Sequence, residues 1–84
     1  MAKEKEIVNL LESISRGYIE KKIDGKLYAY IVENLIALNR SILKRKFLKF
    51  SEFLAQYDSD SQDSELYNDF DLKNKIRELF VSIK

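Results

Sequence analysis

The sequence predicts an all-α fold: a small bundle of three or four helices with a long central helix. Three observations carry this expectation. Proline is absent and there are only two glycines, Gly17 and Gly25; helices avoid both residues, whereas turn-rich β folds need them. Apolar residues recur at spacings of three and four along most of the chain, with few β-branched alternating runs. A single stretch, Asp58-Ser-Asp-Ser-Gln-Asp-Ser64, is polar, acidic and free of apolar residues, as a linker between helices is. The chain reads as one domain, residues 1–84, with its linker at 58–64.

The first helix is drawn by Ile7, Leu11, Ile14 and Tyr18, spaced four, three and four, with Val8 and Leu10 alongside. Glu12 and Arg16 support it as an i,i+4 pair in the favourable order. Its end falls near Gly17 or as late as Ile23. Asp24-Gly25 is the stronger break, because Asp favours an N-cap and Gly tolerates turn geometry. From Gly25 to Tyr57 no strong breaker follows. One straight helix there would be about 50 Å long, against a radius of gyration of about 12 Å for a compact domain of this size. The apolar pattern also slips. Ile31, Leu35, Leu38 and Ile42 form one stripe, and Leu43, Phe47, Phe50, Leu54 and Tyr57 form another, rotated by about 100–120°. Two solutions stay open: a bend near Asn39 to Ser41, or one long helix with two partners. Beyond the linker, Leu72, Ile76, Leu79 and Ile83 form a last helical stripe, with Asp71 in the first turn and Lys84 at the end. Leu66, Tyr67 and Phe70 fall slightly out of phase with it. No internal repeat is present. Short connections favour an antiparallel bundle.

Composition narrows the function. A chain of 84 residues buries about 60–65% of the surface its unfolded form exposes, so modest stability is expected. Ten residues are Tyr or Phe, generous for so small a core, and surplus rings serve as contact points. Most of Phe47, Phe50, Phe70 and Phe80 are expected in the core. Cysteine and histidine are both absent, which removes disulfides, thiolate and imidazole metal sites, and the usual nucleophile–base pairs. Two lone glycines make no phosphate loop. The expectation is a protein that is not an enzyme and needs no cofactor. Met1 to Glu6 is charged, and no apolar run reaches signal-peptide or membrane-span length. A cytoplasmic protein without membrane contact is expected.

The net charge of +1 is unevenly distributed: residues 1–57 hold 11 Lys/Arg against 7 Asp/Glu, and residues 58–84 hold 4 against 7. The sharpest feature is basic. Arg40, Lys44, Arg45, Lys46 and Lys49 fall within ten residues with no acid among them. On a helix, Arg45 and Lys49 point away from the Leu43, Phe47, Phe50, Leu54 stripe while Lys44 and Lys46 flank it. These five are the candidate nucleic-acid-binding residues, through phosphate contacts; the alternative is a solvated face partly neutralised by the acidic segment that follows. The acidic segment has the outline of a metal site, since Asp58, Asp60, Gln62, Ser64, Leu66 and Asp69 match the 1, 3, 5, 7, 9, 12 spacing of a calcium loop. Asp63 stands where the turn requires Gly, and the last position is Asp rather than a bidentate Glu. It reads as a solvated linker, with no metal.

A bundle this small cannot cover both stripes of the 25–57 segment, and an uncovered apolar stripe marks a partner helix or a dimer interface. Ile31, Leu35, Leu38, Ile42, Phe47, Phe50 and Leu54 are therefore the candidate partner-interface residues.

Residues 40–50, Arg-Ser-Ile-Leu-Lys-Arg-Lys-Phe-Leu-Lys-Phe, resemble the helical signature of the GINS replication-complex family, in which an Arg-Ser-aromatic-Leu-basic stretch runs into a basic-Leu-x-Lys-Ile ending. Arg40, Ser41, Leu43, Lys44, Lys46, Phe47, Lys49 and Phe50 match in type. The preceding helix, and the acidic linker with a helix after it, are similar in outline to that family's helical domain. The match covers one helix closely and the remainder loosely. Members of that family usually carry a second, small β domain, for which 84 residues leave no room. The resemblance implies a non-catalytic subunit that assembles with other subunits and with a replicative helicase.

The expectation is thus a non-enzymatic helical protein–protein interaction subunit, within a DNA-replication or other nucleic-acid assembly, with a protein partner or a second copy as its target. Direct nucleic-acid binding through the basic face is the alternative. A third class, a small regulator or inhibitor of the kind a virus or plasmid encodes, is compatible with every feature above.

Overall fold

The computed structural model describes residues 2–57, 66–80 and 83. Four helices are present among them: α1 (Ala2–Ile19), α2 (Gly25–Leu38), α3 (Arg45–Ala55) and α4 (Asp69–Leu79). No strand occurs among the described residues; Tyr57 and Tyr67 make one isolated bridge. The helices pack in chain order, α2 against α1 and α3, and α3 against α4. The radius of gyration is 12.3 Å, the value expected of a compact chain of this length.

Each helix contributes one buried row. Leu11, Ser15 and Tyr18 come from α1, Tyr28, Val32 and Ile36 from α2, Phe47, Phe50 and Leu54 from α3, and Leu72 and Ile76 from α4; Leu43, Phe80 and Ile83 close the ends. Ser15, buried among these rows, is satisfied on both sides. Its hydroxyl donates to the Leu11 carbonyl at 2.8 Å and lies 2.7 Å from the Tyr28 hydroxyl. Burial pushes the Tyr28 phenol well above its ordinary value, with the Ser15 contact acting the other way. Tyr18 stacks on Tyr28, ring centroids 5.1 Å apart.

The α1–α2 corner is a Schellman turn. The Lys22 N–H donates to the Gly17 carbonyl at 2.8 Å and the Lys21 N–H to the Tyr18 carbonyl at 3.0 Å, the 6→1 and 5→2 bonds of that motif. Lys21 occupies its left-handed position at φ 64°, where glycine is usual. Asp24 caps α2 as expected, accepting from the Lys26 N–H at 2.6 Å and the Leu27 N–H at 3.4 Å. Gly25 is not the turn residue: no glycine has a positive φ among the described residues. Glycine is needed there for space. A Cβ at Gly25 would stand 1.8 Å from the Tyr57 hydroxyl oxygen.

The long central helix does not form; the alternative of a bend does. α2 stops at Leu38 and α3 starts at Arg45. The Asn39 side chain donates to the Leu35 carbonyl at 2.8 Å and its N–H to the Ile36 carbonyl at 3.1 Å, so two of the last carbonyls of α2 are satisfied without another turn. The physical reason is the slip between stripes. A straight helix could not turn both the α2 row and the Phe47, Phe50, Leu54 row toward one core. The break re-aims α3, and Leu43 is buried within it. The basic stretch 40–50 accordingly spans a break and a helix start rather than one helix.

α4 begins with a capping box. The Asn68 side chain accepts from the Asp71 N–H at 3.0 Å, and the Asp71 carboxylate accepts from the Asn68 N–H at 3.1 Å. It ends at Leu79, short of Ile83, which is buried beyond the helix. Tyr67 stacks on Phe53 with centroids 4.2 Å apart, and its N–H donates to the Gln56 carbonyl at 2.9 Å, joining the described chain on the two sides of residues 58–65.

Candidate interaction surfaces

α2 is apolar on two sides, and only one side is in the core. The buried row is Tyr28, Val32, Ile36. On the opposite side, Leu27 is 47% exposed, Tyr30 69% and Leu38 83%, with Ile31 half-buried and Asn34 exposed among them. Positions 27, 30, 31, 34 and 38 share one helix face, so these side chains form a stripe the length of α2. Asn34 donates to the Tyr30 carbonyl at 2.7 Å, so its polar group is turned to its own helix. Glu33 flanks the stripe, and partial burial raises its carboxyl above the ordinary value.

This redistributes the partner-interface candidates. Ile31 and Leu38 belong to the open face, and Leu35 and Ile42 are half-buried. Phe47, Phe50 and Leu54 are core residues, each 2% exposed, and no partner reaches them without unfolding. α3 is short and has α2 and α4 as neighbours, so its apolar row is covered inside the domain. Of Phe47, Phe50, Phe70 and Phe80, most of which are expected in the core, three are buried and Phe70 is 70% exposed, because it follows the α4 N-cap on the side away from Leu72 and Ile76. Leu27 and Tyr30 were missed in the sequence. Their spacing of three and four with Asn34 and Leu38 was readable, but it was masked by a second apolar row one residue out of step.

The basic residues Arg40, Lys44, Arg45, Lys46 and Lys49 are all exposed, and none forms an ion pair among the described residues. They do not make one ridge. Arg40 lies in the break and borders a hollow with Ile36, Leu48 and Glu52. Lys46 and Lys49 border a different hollow, which Lys75 of α4 joins. Lys75 was not legible as a member because it comes from another helix. Lys44 is the N-cap of α3 and makes no side-chain cap bond; no acid stands in the first turn. Cations at that end oppose the helix dipole. Lys46 also lies over the Phe47 ring, 5.2 Å from its centroid.

The third surface lies at the other end of α3. Tyr18 at the end of α1 and Tyr57 after α3 both donate their hydroxyls to Oδ1 of Asp69, the first residue of α4. Burial raises the Tyr18 phenol far above its ordinary value, and the Asp69 carboxylate it donates to adds to the effect. Asp69 is thereby engaged from inside the fold. Asp58, Asp60, Gln62 and Ser64 of the calcium-like spacing lie outside the described residues; among the described residues no group of three acidic side chains could hold a metal ion. Next to this junction is an open cleft of about 650 Å³, bordered by Lys21, Lys22, Lys26 and Lys73 together with Asp24 and Asp69. Nothing in the sequence pattern singled it out beyond the Lys21-Lys22 pair beside a helix break.

No helix among the described residues is long and apolar enough to cross a membrane. No family model, curated protein or solved structure matches this chain.

Proposed function

We propose that this protein is a non-enzymatic helical interaction subunit that docks a partner through the outer face of α2. The observation that carries the reading is the stripe on α2, where Leu27, Tyr30 and Leu38 are exposed on one face beside the half-buried Ile31, whereas α1 and α4 each expose a single large apolar side chain, Leu10 and Phe70, among the described residues. A helix apolar on both sides belongs between two partners, and within the domain α2 meets partners on one side. Large exposed aromatics such as Tyr30 are favoured as interface anchors. The resemblance of residues 40–50 to the GINS helical signature, of which only 45–50 lie on a helix here, supports a DNA-replication complex as the class of assembly. The test is photo-crosslinking from Tyr30 and Leu38 in the host cell, with Ser13 on α1 as control. One discrete protein adduct from both positions, abolished by L27E with a retained helical melting curve, is expected. A strictly monomeric protein with no adduct from either position overturns the reading.

A second reading rests on α3. Three cations sit at the uncapped, positive end of a helix, an arrangement that costs stability unless an anion is held there. Nucleic-acid phosphates fit that charge. Fluorescence anisotropy with labelled single- and double-stranded DNA across a salt series tests it: binding should weaken steeply with salt and fall in R45E/K46E/K49E. Unchanged affinity in that variant removes the reading.

A further inference from the structure

The cleft beside the Tyr18–Asp69–Tyr57 junction has properties the α2 face does not explain. Four lysines, Lys21, Lys22, Lys26 and Lys73, border it from the α1–α2 turn, α2 and α4, so residues 52 positions apart in sequence converge. Two acids also border it, yet both are turned to other work. The Asp69 Oδ1 accepts from two tyrosine hydroxyls, and the Asp24 Oδ1 accepts from two backbone N–H groups of α2. Both carboxylates keep their charge, so the border carries four amines against two acids. Lys22 is held by Glu20 at 3.1 Å, whereas Lys21 and Lys73 form no ion pair among the described residues.

The position of Lys21 is the second observation. It stands at φ 64°, in the left-handed region that costs a non-glycine residue stability. Glycine in that position of a Schellman turn would be the stable choice. A residue kept in a costly backbone region points to a use for its side chain, and Lys21 is one of the residues that line the cleft. The volume of about 650 Å³ falls within the range of small-molecule sites, and the border is mixed, with four lysines and two carboxylates beside Tyr18 and Ile23. Such a border suits a hydrophilic anion with several acceptor oxygens, held by lysine amines as point charges.

We propose that this cleft is a phosphate-binding site, with Lys21 and Lys73 as the principal ligand-contacting residues. The phosphate belongs either to a small phosphorylated ligand or to the phosphodiester backbone of a nucleic acid. The site is separate from the outer face of α2 and from the basic start of α3, and it stands or falls independently of both.

The test is a titration of the full, isotope-labelled chain at low ionic strength, followed by backbone amide NMR shifts. Pyrophosphate and a short oligothymidylate serve as the two probes. Saturable shifts confined to residues 21–26 and 73 are expected with at least one probe. Pyrophosphate alone identifies a small ligand, and the oligonucleotide alone a nucleic-acid backbone. The double variant K21G/K73Q should bind roughly three- to tenfold more weakly. K21G relieves the backbone strain, so its melting temperature should rise while its affinity falls, which separates lost contact from lost fold. No saturable shift with either probe overturns the proposal. So do shifts centred on Arg45 and Lys46, or equal affinity in the double variant.

Discussion

The two glycines have opposite consequences, and both follow from what surrounds them. Gly25 is packed under Tyr57: a Cβ would stand 1.8 Å from the phenol oxygen and 3.0 Å from Asp69 Oδ1. G25A must push Tyr57 away and break its bond to Asp69, so a loss of about 1–3 kcal/mol is expected, read as a lower urea midpoint. Gly17 lies inside α1, and its nearest neighbours for a Cβ are Ile23 carbons at 3.9 Å, an ordinary contact. G17A should stabilise by about 0.5–1 kcal/mol. An unchanged or lower midpoint for G17A would mean that the end of α1 is not helical in solution. Asp69 is the third case. D69A leaves the Tyr18 hydroxyl, on a side chain only 5% exposed, without its acceptor, at a cost of about 1–3 kcal/mol.

Among the elements, α3 and α4 begin in opposite ways. α4 has a complete capping box with Asp69 and Asp71 in its first turn, as the helix dipole favours. α3 begins with Lys44, Arg45 and Lys46, without a side-chain cap. K44D should therefore stabilise the domain by about 0.5–2 kcal/mol, from the cap bond and the removal of a cation from the positive end. If the start of α3 holds nucleic-acid phosphates, the same substitution weakens DNA binding, so the thermal midpoint and the affinity move in opposite directions. Parallel movement of the two would mean that Lys44 acts through the fold alone.

For the whole molecule, the pH dependence of stability follows from two tyrosines. The Tyr18 and Tyr28 phenols are both held above the ordinary value of 10.0, chiefly because burial disfavours the phenolate. Their folded values exceed the unfolded one, so their contribution is fully present below the unfolded value and is lost as pH rises past it. There the unfolded chain releases two protons that the native state retains. Stability should fall by about 1.4 kcal/mol per pH unit for each tyrosine, about 3 for the pair. Urea midpoints taken from about pH 9 to about 11.5 check this. Y28F should halve the slope, and a flat profile would place both phenols in water.

Sequence by itself determined the fold class and the cap of α2, and it drew the apolar row of α3 without deciding that Phe47, Phe50 and Leu54 face the core rather than a partner. These rest on local rules: periodicity, the scarcity of Gly and Pro, and Asp24 at a helix start. It left open whether residues 25–57 bend, and it did not draw the Tyr28, Val32, Ile36 row of α2, because the Ile31, Leu35, Leu38 row beside it is as apolar and also helically spaced. Only packing against α1 and α3 decides which row faces inward. The same holds for Gly25, whose role depends on Tyr57, and for Asp69, which meets a tyrosine 51 residues away. The lysine cleft joins the first turn of the fold to its last helix, and Lys75 joins Lys46 and Lys49 across two helices. Such groupings are set by how helices lie against one another, a property of the whole packed chain that no local pattern encodes.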